Sequence, residues 1–222
     1  MDKLKILVTG GSGFIGNCFI KLILKKYPSL HVINLDKLTY AGNKDNLEEV
    51  ENNPRYTFIL GDICDAPLVN KLMGDVDYVV NFAAESHVDR SIVCSDSFVR
   101  TDIFGMYVLL EAIKKHRNIK RFLHISTDEV YGDILEGMFC ETDRLVPSSP
   151  YSASKAAAEM LAHSYIRTHN LPIIITRSSN NYGPYQHSEK LIPCFITRLL
   201  QNQKVPLHNP KPIRDWIHVQ DN

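Results

Sequence analysis

The sequence predicts an α/β fold built on a doubly wound parallel sheet. Short apolar, β-rich runs alternate with longer amphipathic segments, and the runs are close to continuously apolar. A glycine-rich turn follows the first run directly. Strands apolar on both faces need helices on both faces, as in a parallel sheet with crossover helices.

The strand-like runs lie at 4–8, 31–35, 56–60, 78–82, 121–125 and 173–176. The helical patterns lie near 14–26, 65–73, 95–116 and 152–169. After about residue 176 the pattern changes. Segment 177–187 is rich in Ser, Asn, Tyr, Gly and Pro, a helix is expected near 189–201, and prolines cluster over 206–212. The strand-like stretch 216–219 ends just before Asn222, so it reads as an interrupted element of a second region. The expected division is 1–177 for the main domain and 178–222 for the start of a smaller, truncated substrate-binding region.

The 222 residues, 44% of them hydrophobic, suffice for one large core or one core and part of a second. The 25 basic residues balance 25 acidic ones, which leaves no nucleic-acid tract and no acidic tail. The apolar runs are too short for a transmembrane helix, and the N-terminus lacks the apolar length of a signal peptide. Cys18, Cys64, Cys94, Cys140 and Cys194 are odd in number and scattered. They read as reduced, buried and inert thiols of a cytoplasmic protein. The histidines form no ligand-spaced set, so no metal is expected.

Gly10, Gly13 and Gly16 are three apart between the first strand and the first helix. Gly10 permits the tight turn, Gly13 lets a pyrophosphate approach the backbone, and Gly16 lets the helix pack on the sheet. The helix start then offers free N–H groups to the phosphates. This is a dinucleotide-binding, Rossmann-type pattern. Asp36 ends the second strand, where a carboxylate can accept both ribose hydroxyls and repel a 2′-phosphate. That favours NAD over NADP, although Lys37 adjoins it. Asp62, followed by Ile63, ends the third strand and suits either the adenine or the cap of the helix at 65–73.

Tyr151 and Lys155 are four apart at a helix start and share one face. The lysine charge is expected to lower the phenol's pKa. A phenolate there can take a hydroxyl proton while hydride leaves the same carbon. The fifth strand ends in Ser126-Thr127-Asp128-Glu129. Strand ends face the ligand crevice in such sheets, and two adjacent carboxyls can divide acid and base duties. A polar turn with a capping acid is the plainer reading.

The Gly10–Gly16 turn, the Tyr151/Lys155 pair and Ser126-Thr127 resemble the extended short-chain dehydrogenase/reductase family. Within it, segments 36–43, 83–91, 127–132 and 180–185 are similar to the dTDP-glucose 4,6-dehydratases, over almost the whole chain. The Thr-Asp-Glu triplet is the most specific part. The resemblance implies dehydration of a nucleoside-diphosphate hexose with NAD lent a hydride and restored. Tyr151 would take the C4 hydroxyl proton with Lys155 beside it, Glu129 the C5 proton, Asp128 would protonate the leaving C6 hydroxyl, and Thr127 would hold the C4 oxygen.

It further implies NAD contacts from Phe14, Ile15, Asp36, Lys37, Leu38, Thr39, Asp62 and Ile63. Phe82, Ala83, Ala84, Glu85, Ser86, Thr101, Tyr151, Lys155 and Asn181 complete that set. Sugar-nucleotide contacts are implied for Ser86, Thr127, Asn180, Lys190, Leu191, Pro206, Leu207, His208 and Arg214. Lys190 and Arg214 suit a diphosphate. A homodimer through helices 95–116 and 151–169 is implied as well. His87 reads as a structural histidine. Asp102 stands where the family usually carries Asn; Asp can accept the same bonds but cannot donate, which leaves local order there open. A 4-epimerase or decarboxylase, or a non-catalytic dinucleotide-binding protein, are the alternative readings.

Overall fold

The computed structural model describes residues 4–205 and 213–222. Six strands form one parallel sheet: β1 (Lys5–Thr9), β2 (His31–Asp36), β3 (Tyr56–Leu60), β4 (Tyr78–Asn81), β5 (Arg121–Thr127) and β6 (Ile173–Ser178). Their order is β3-β2-β1-β4-β5-β6, so the chain winds outward in both directions from the gap between β1 and β4. At that switch point the strand ends diverge and leave a crevice.

The sheet is covered on both faces. Although β1 is almost wholly apolar, its side chains alternate: Leu7 joins one core with Phe122, Met106 and Leu109, while Ile6 and Val8 join the other with Ile20 and Leu24. The first core packs against α2 (Ala66–Met73), α5 (Gly105–Lys115) and α6 (Pro150–His169); α1 (Phe14–Lys26) covers the second. Phe122 is fully buried, and truncating such a side chain to Ala costs roughly 3–5 kcal/mol.

Helix α6 starts on strong local chemistry. Ser149 and Ser152 form a reciprocal capping box, and Pro150 occupies the first turn. Asn170, at φ 53°, ends the helix in the left-handed region. Tyr151 and Lys155 therefore stand on the first two turns of a helix with a fixed start.

The expected single helix over 95–116 is broken. A helical turn α4 (Asp96–Phe98) leads through a π-helical turn, Val99–Phe104, into α5. The wide turn directs Asp102 inward. Its carboxylate accepts from Glu85 N at 2.9 Å and from Ser154 Oγ at 2.6 Å. Asp102 keeps this junction ordered, because both hydrogen bonds need only an acceptor, and a carboxylate supplies it.

Short elements unseen in the sequence are α3 (Val88–Val93) and the 3₁₀ helices Lys44–Val50 and Asp128–Tyr131. Toward the C-terminus, β7 (Asn180–Tyr182) pairs in parallel with β8 (Trp216–His218), and α7 (Leu191–Leu200) lies between them. The reading of all five thiols as buried is also corrected. Cys94 and Cys140 are exposed, the other three are partly exposed, and all are unpaired. Cys94 ends the short helix α3 and Cys140 lies on a surface loop, away from the sheet core, while Cys64 packs against that core only in part. No helix among the described residues is long and apolar enough to cross a membrane.

Candidate active site

The crevice above β1 and β4 is a cavity of about 890 Å³, running from the glycine turn to the strand ends of β5 and β6. Its floor is set by glycines. Gly10 has φ +69°, and a Cβ there would stand 2.5 Å from Ala83 N. At Gly16 a Cβ would meet Gly10 O at 2.4 Å. At Gly13 a Cβ would meet only Gly10 O at 3.3 Å, so its other side is open. Gly13 brings no side chain to cap α1, which leaves the leading N–H groups without a side-chain acceptor.

Asp36 lines the cavity at the end of β2 and is 8% exposed. It accepts from Ser12 N and Leu38 N, each at 2.8 Å, which turns the chain and fixes the carboxylate. Burial raises its pKa, and the backbone donors pull it back down. Lys37 does not pair with Asp36. It pairs with Asp62 at 2.7 Å. Asp62 accepts from Cys64 N at 2.9 Å, whereas Asp65 caps α2 through Leu68 N. That sets aside the cap reading of Asp62.

At the other end, Lys155 is 3% exposed and donates to Ile125 O at 2.7 Å. Burial lowers its pKa, and the charges of Asp102 and Glu159 oppose that. Tyr151 is pushed well above the usual phenol range by burial, then by Glu129 and Asp102, with Thr127 pulling the other way. The expected lowering of the Tyr151 pKa is therefore corrected for the protein alone: burial and the carboxylates raise it. Thr127 Oγ lies 3.2 Å from Asp128 Oδ1 and accepts from Glu129 N at 3.2 Å. Burial raises both carboxyls; Arg214 counters it in each, and Lys190 does so at Glu129.

Most residues singled out in the sequence line this one cavity: Gly10, Gly13, Phe14, Ile15, Gly16, Asp36, Lys37, Thr39, Asp62, Ile63, Phe82 to Ser86, Thr101, Tyr151, Lys155 and Asn181. Thr127, Glu129, Asn180, Lys190, Leu191 and Arg214 line it too. Leu38 and Asp128 do not: Leu38 contributes its backbone N–H to Asp36, and the Asp128 carboxyl sits beside Thr127 Oγ. Pro206, Leu207 and His208 lie outside the described residues. Lys190 is tied to Ser86 O at 2.7 Å.

His87 caps α3 through Arg90 N and lies 3.4 Å from Glu189, yet it also faces the cavity. Ser149, Ser178 and Ser179 line the cavity as well, and no motif marked them. The strand-end rule would have found Ser178, at the end of β6. Ser126 Oγ and Asn181 Oδ1 are buried without a hydrogen-bond partner, and both residues line the cavity. Unpaired buried polar atoms are costly, and a polar ligand would satisfy them. The open face of Gly13, the carboxylate at β2 and these unpaired atoms fit a dinucleotide. Among the described residues no cluster of three His, Cys, Asp or Glu could hold a metal.

Comparison with known proteins agrees with this geometry. The model of the family described as GDP-mannose 4,6 dehydratase matches residues 7–222. A dTDP-glucose 4,6-dehydratase of Actinoplanes sp. is 49% identical over 99% of this chain and 70% of its own length. A crystallised dTDP-glucose 4,6-dehydratase double mutant of Streptomyces venezuelae, with NAD bound, superposes with a TM-score of 0.94 at 47% identity. That match covers 97% of this chain and 68% of the other. A UDP-glucuronic acid 4-epimerase of Bacillus cereus, with NAD, has a TM-score of 0.90 at 32% identity and covers 97% of this chain and 69% of the other. The chain thus spans about two thirds of the length of the proteins it resembles. With a family model over nearly its whole length and a relative close to half identical, the chain belongs to the GDP-mannose 4,6 dehydratase family.

Proposed function

We propose that this protein is an NAD-dependent dehydratase of a nucleoside-diphosphate hexose, converting dTDP-glucose to dTDP-4-keto-6-deoxyglucose and water. The observation that carries it is the meeting of Tyr151, Lys155, Thr127 and Glu129 at one end of the glycine-floored cavity, with Asp128 next in chain. The relatives named dTDP-glucose 4,6-dehydratase support the substrate.

NAD, when bound, accepts the C4 hydride and gives it back at C6, and its pyridinium charge adds to that of Lys155. Tyr151 takes the C4 hydroxyl proton, and the Thr127 hydroxyl holds the C4 oxygen. A ketone at C4 acidifies the C5 proton, which Glu129 removes and returns to C5 when hydride reaches C6; the proton taken by Tyr151 replaces, through solvent, the one that Asp128 gives up. Asp128 donates a proton to the departing C6 hydroxyl, so the group leaves as water. Burial keeps both carboxyls easier to protonate than in water, which suits one to act as acid while its neighbour acts as base. Asp36 receives the adenosine ribose, and Lys190 and Arg214 meet the diphosphate.

Residues 178–222 contribute to the substrate-binding region in this reading. We infer a homodimer through the π-helical turn with α5 and through α6, since Val99, Phe104, Tyr107 and Met160 are each 44–52% exposed there. Unpaired thiols fit a reducing, cytoplasmic setting.

Incubation with dTDP-glucose tests the reading. A keto product lighter by one water is expected. A product of unchanged mass with inverted C4 indicates epimerisation and overturns it.

A further inference from the structure

Arg177 closes a polar cluster that joins the acid pair to the helix of Tyr151 and Lys155. It lies near the end of β6, in register with Ser126 of β5. Its Nε donates to Glu159 Oε2 at 3.0 Å, and its Nη2 donates to the same oxygen at 2.6 Å. Glu159 is one turn beyond Lys155 on α6 and is 0% exposed. The remaining Nη1 donates to Tyr131 Oη at 2.5 Å and to Glu141 O at 3.3 Å. The guanidinium carbon lies 4.7 Å from the Tyr131 ring centroid. That ring also stacks on Phe139 at 4.8 Å and 10°.

Tyr131 ends the 3₁₀ turn Asp128–Tyr131, two residues after Glu129. One planar side chain therefore ties together β6, α6, the turn of the acid pair and the loop at Glu141. A buried ion pair is a poor device for stability alone, because well-packed apolar residues do as well or better. Its distinct property is geometric: a rigid fork fixes several acceptors at once.

We propose that Arg177 is a positioning residue for the elimination half of the reaction. It holds Asp128 and Glu129 at a set distance from Tyr151 and Lys155. The inference rests on the dehydratase reading.

Arg177→Lys tests it, since the ammonium keeps a charge beside Glu159 but cannot fork to both partners. C4 oxidation should run at close to the native rate. Exchange of the C5 proton and loss of water should slow by about 10- to 100-fold, the scale of a small misplacement of reacting groups. NADH should then accumulate in the steady state, with kcat reduced and KM little changed.

Tyr131→Phe removes only the hydroxyl that accepts from Arg177 and should move the same readouts less far. Amide exchange over 128–132 should quicken in Arg177→Lys while 121–125 stays protected, a measurement that needs no turnover. Equal slowing of oxidation and elimination, or unchanged exchange over 128–132, overturns the proposal. A native protein that binds NAD yet never dehydrates the sugar sinks the dehydratase reading, and the exchange measurement still decides the positioning claim.

Discussion

The Ser154 hydroxyl donates to the Asp102 carboxylate at 2.6 Å, joining the π-helical turn to the helix that carries Tyr151 and Lys155. The other Asp102 oxygen accepts from Glu85 N at the crevice edge. Asp102 is 4% exposed, and burial raises its pKa from 3.8 to about 6 despite the nearby Lys155 charge. Glu85 and Tyr151 are the other titratable groups that feel it.

A pH-dependent stability follows. The folded protein holds the Asp102 proton more tightly than the unfolded chain, so this contribution is full below pH 3.8 and is lost as pH rises through about 6. The difference corresponds to about 3 kcal/mol. An amide at 102 can accept from Glu85 N and donate to Ser154. Asp102→Asn should therefore be more stable than native by up to about 3 kcal/mol at pH 8, with the gain vanishing near pH 4. Urea unfolding at both pH values checks it. A gain that is the same at both would show that ionisation is not the cause.

The glycine floor gives two opposite outcomes. Gly10→Ala forces a Cβ into the Ala83 backbone at positive φ, so it should destabilise the fold by several kcal/mol. Gly13→Ala meets only Gly10 O at 3.3 Å. It should keep the native melting temperature closely but weaken NAD binding by about tenfold or more, about 1.4 kcal/mol. Calorimetry of both variants with and without NAD separates the two roles.

Much of this was legible in the sequence. The six strands and α1 fall within two residues of their expected places, because continuous apolar runs and the glycine spacing are local signals. Helix α3 and the π-helical turn were not legible, since they depend on partners distant in sequence, such as Glu85 and Ser154 for Asp102. The strand-end rule brought Asp128 and Glu129 to the crevice but could not tell them apart. The 3₁₀ turn rotates Glu129 toward the cavity and leaves Asp128 beside Thr127. The phenol's raised pKa is not legible in the sequence, because residue spacing reveals a nearby lysine but not the depth of burial.

The cap of α6 should matter to both fold and site. Ser149→Ala loses the bond from Ser152 N and should cost about 1 kcal/mol. Because Tyr151 sits in that first turn, turnover should fall more than stability alone accounts for. Equal loss of both would place the cap in the fold only.

Glu129→Gln should reduce turnover by about 100- to 10,000-fold, the usual worth of a general base. NADH should still form on adding dTDP-glucose, because the proposed mechanism assigns C4 oxidation to Tyr151 and not to Glu129. Single-turnover absorbance checks it, and native turnover in this variant would remove Glu129 from the mechanism.

The central claim is that a hydride taken from one carbon of the sugar returns to another after water has left. The direct measurement uses dTDP-glucose deuterated at C4, with the deuterium located in the product by mass spectrometry and NMR. A keto sugar lacking one water, with the deuterium in its C6 methyl group, is expected. Deuterium kept at C4, or a sugar that has lost no water, would contradict it.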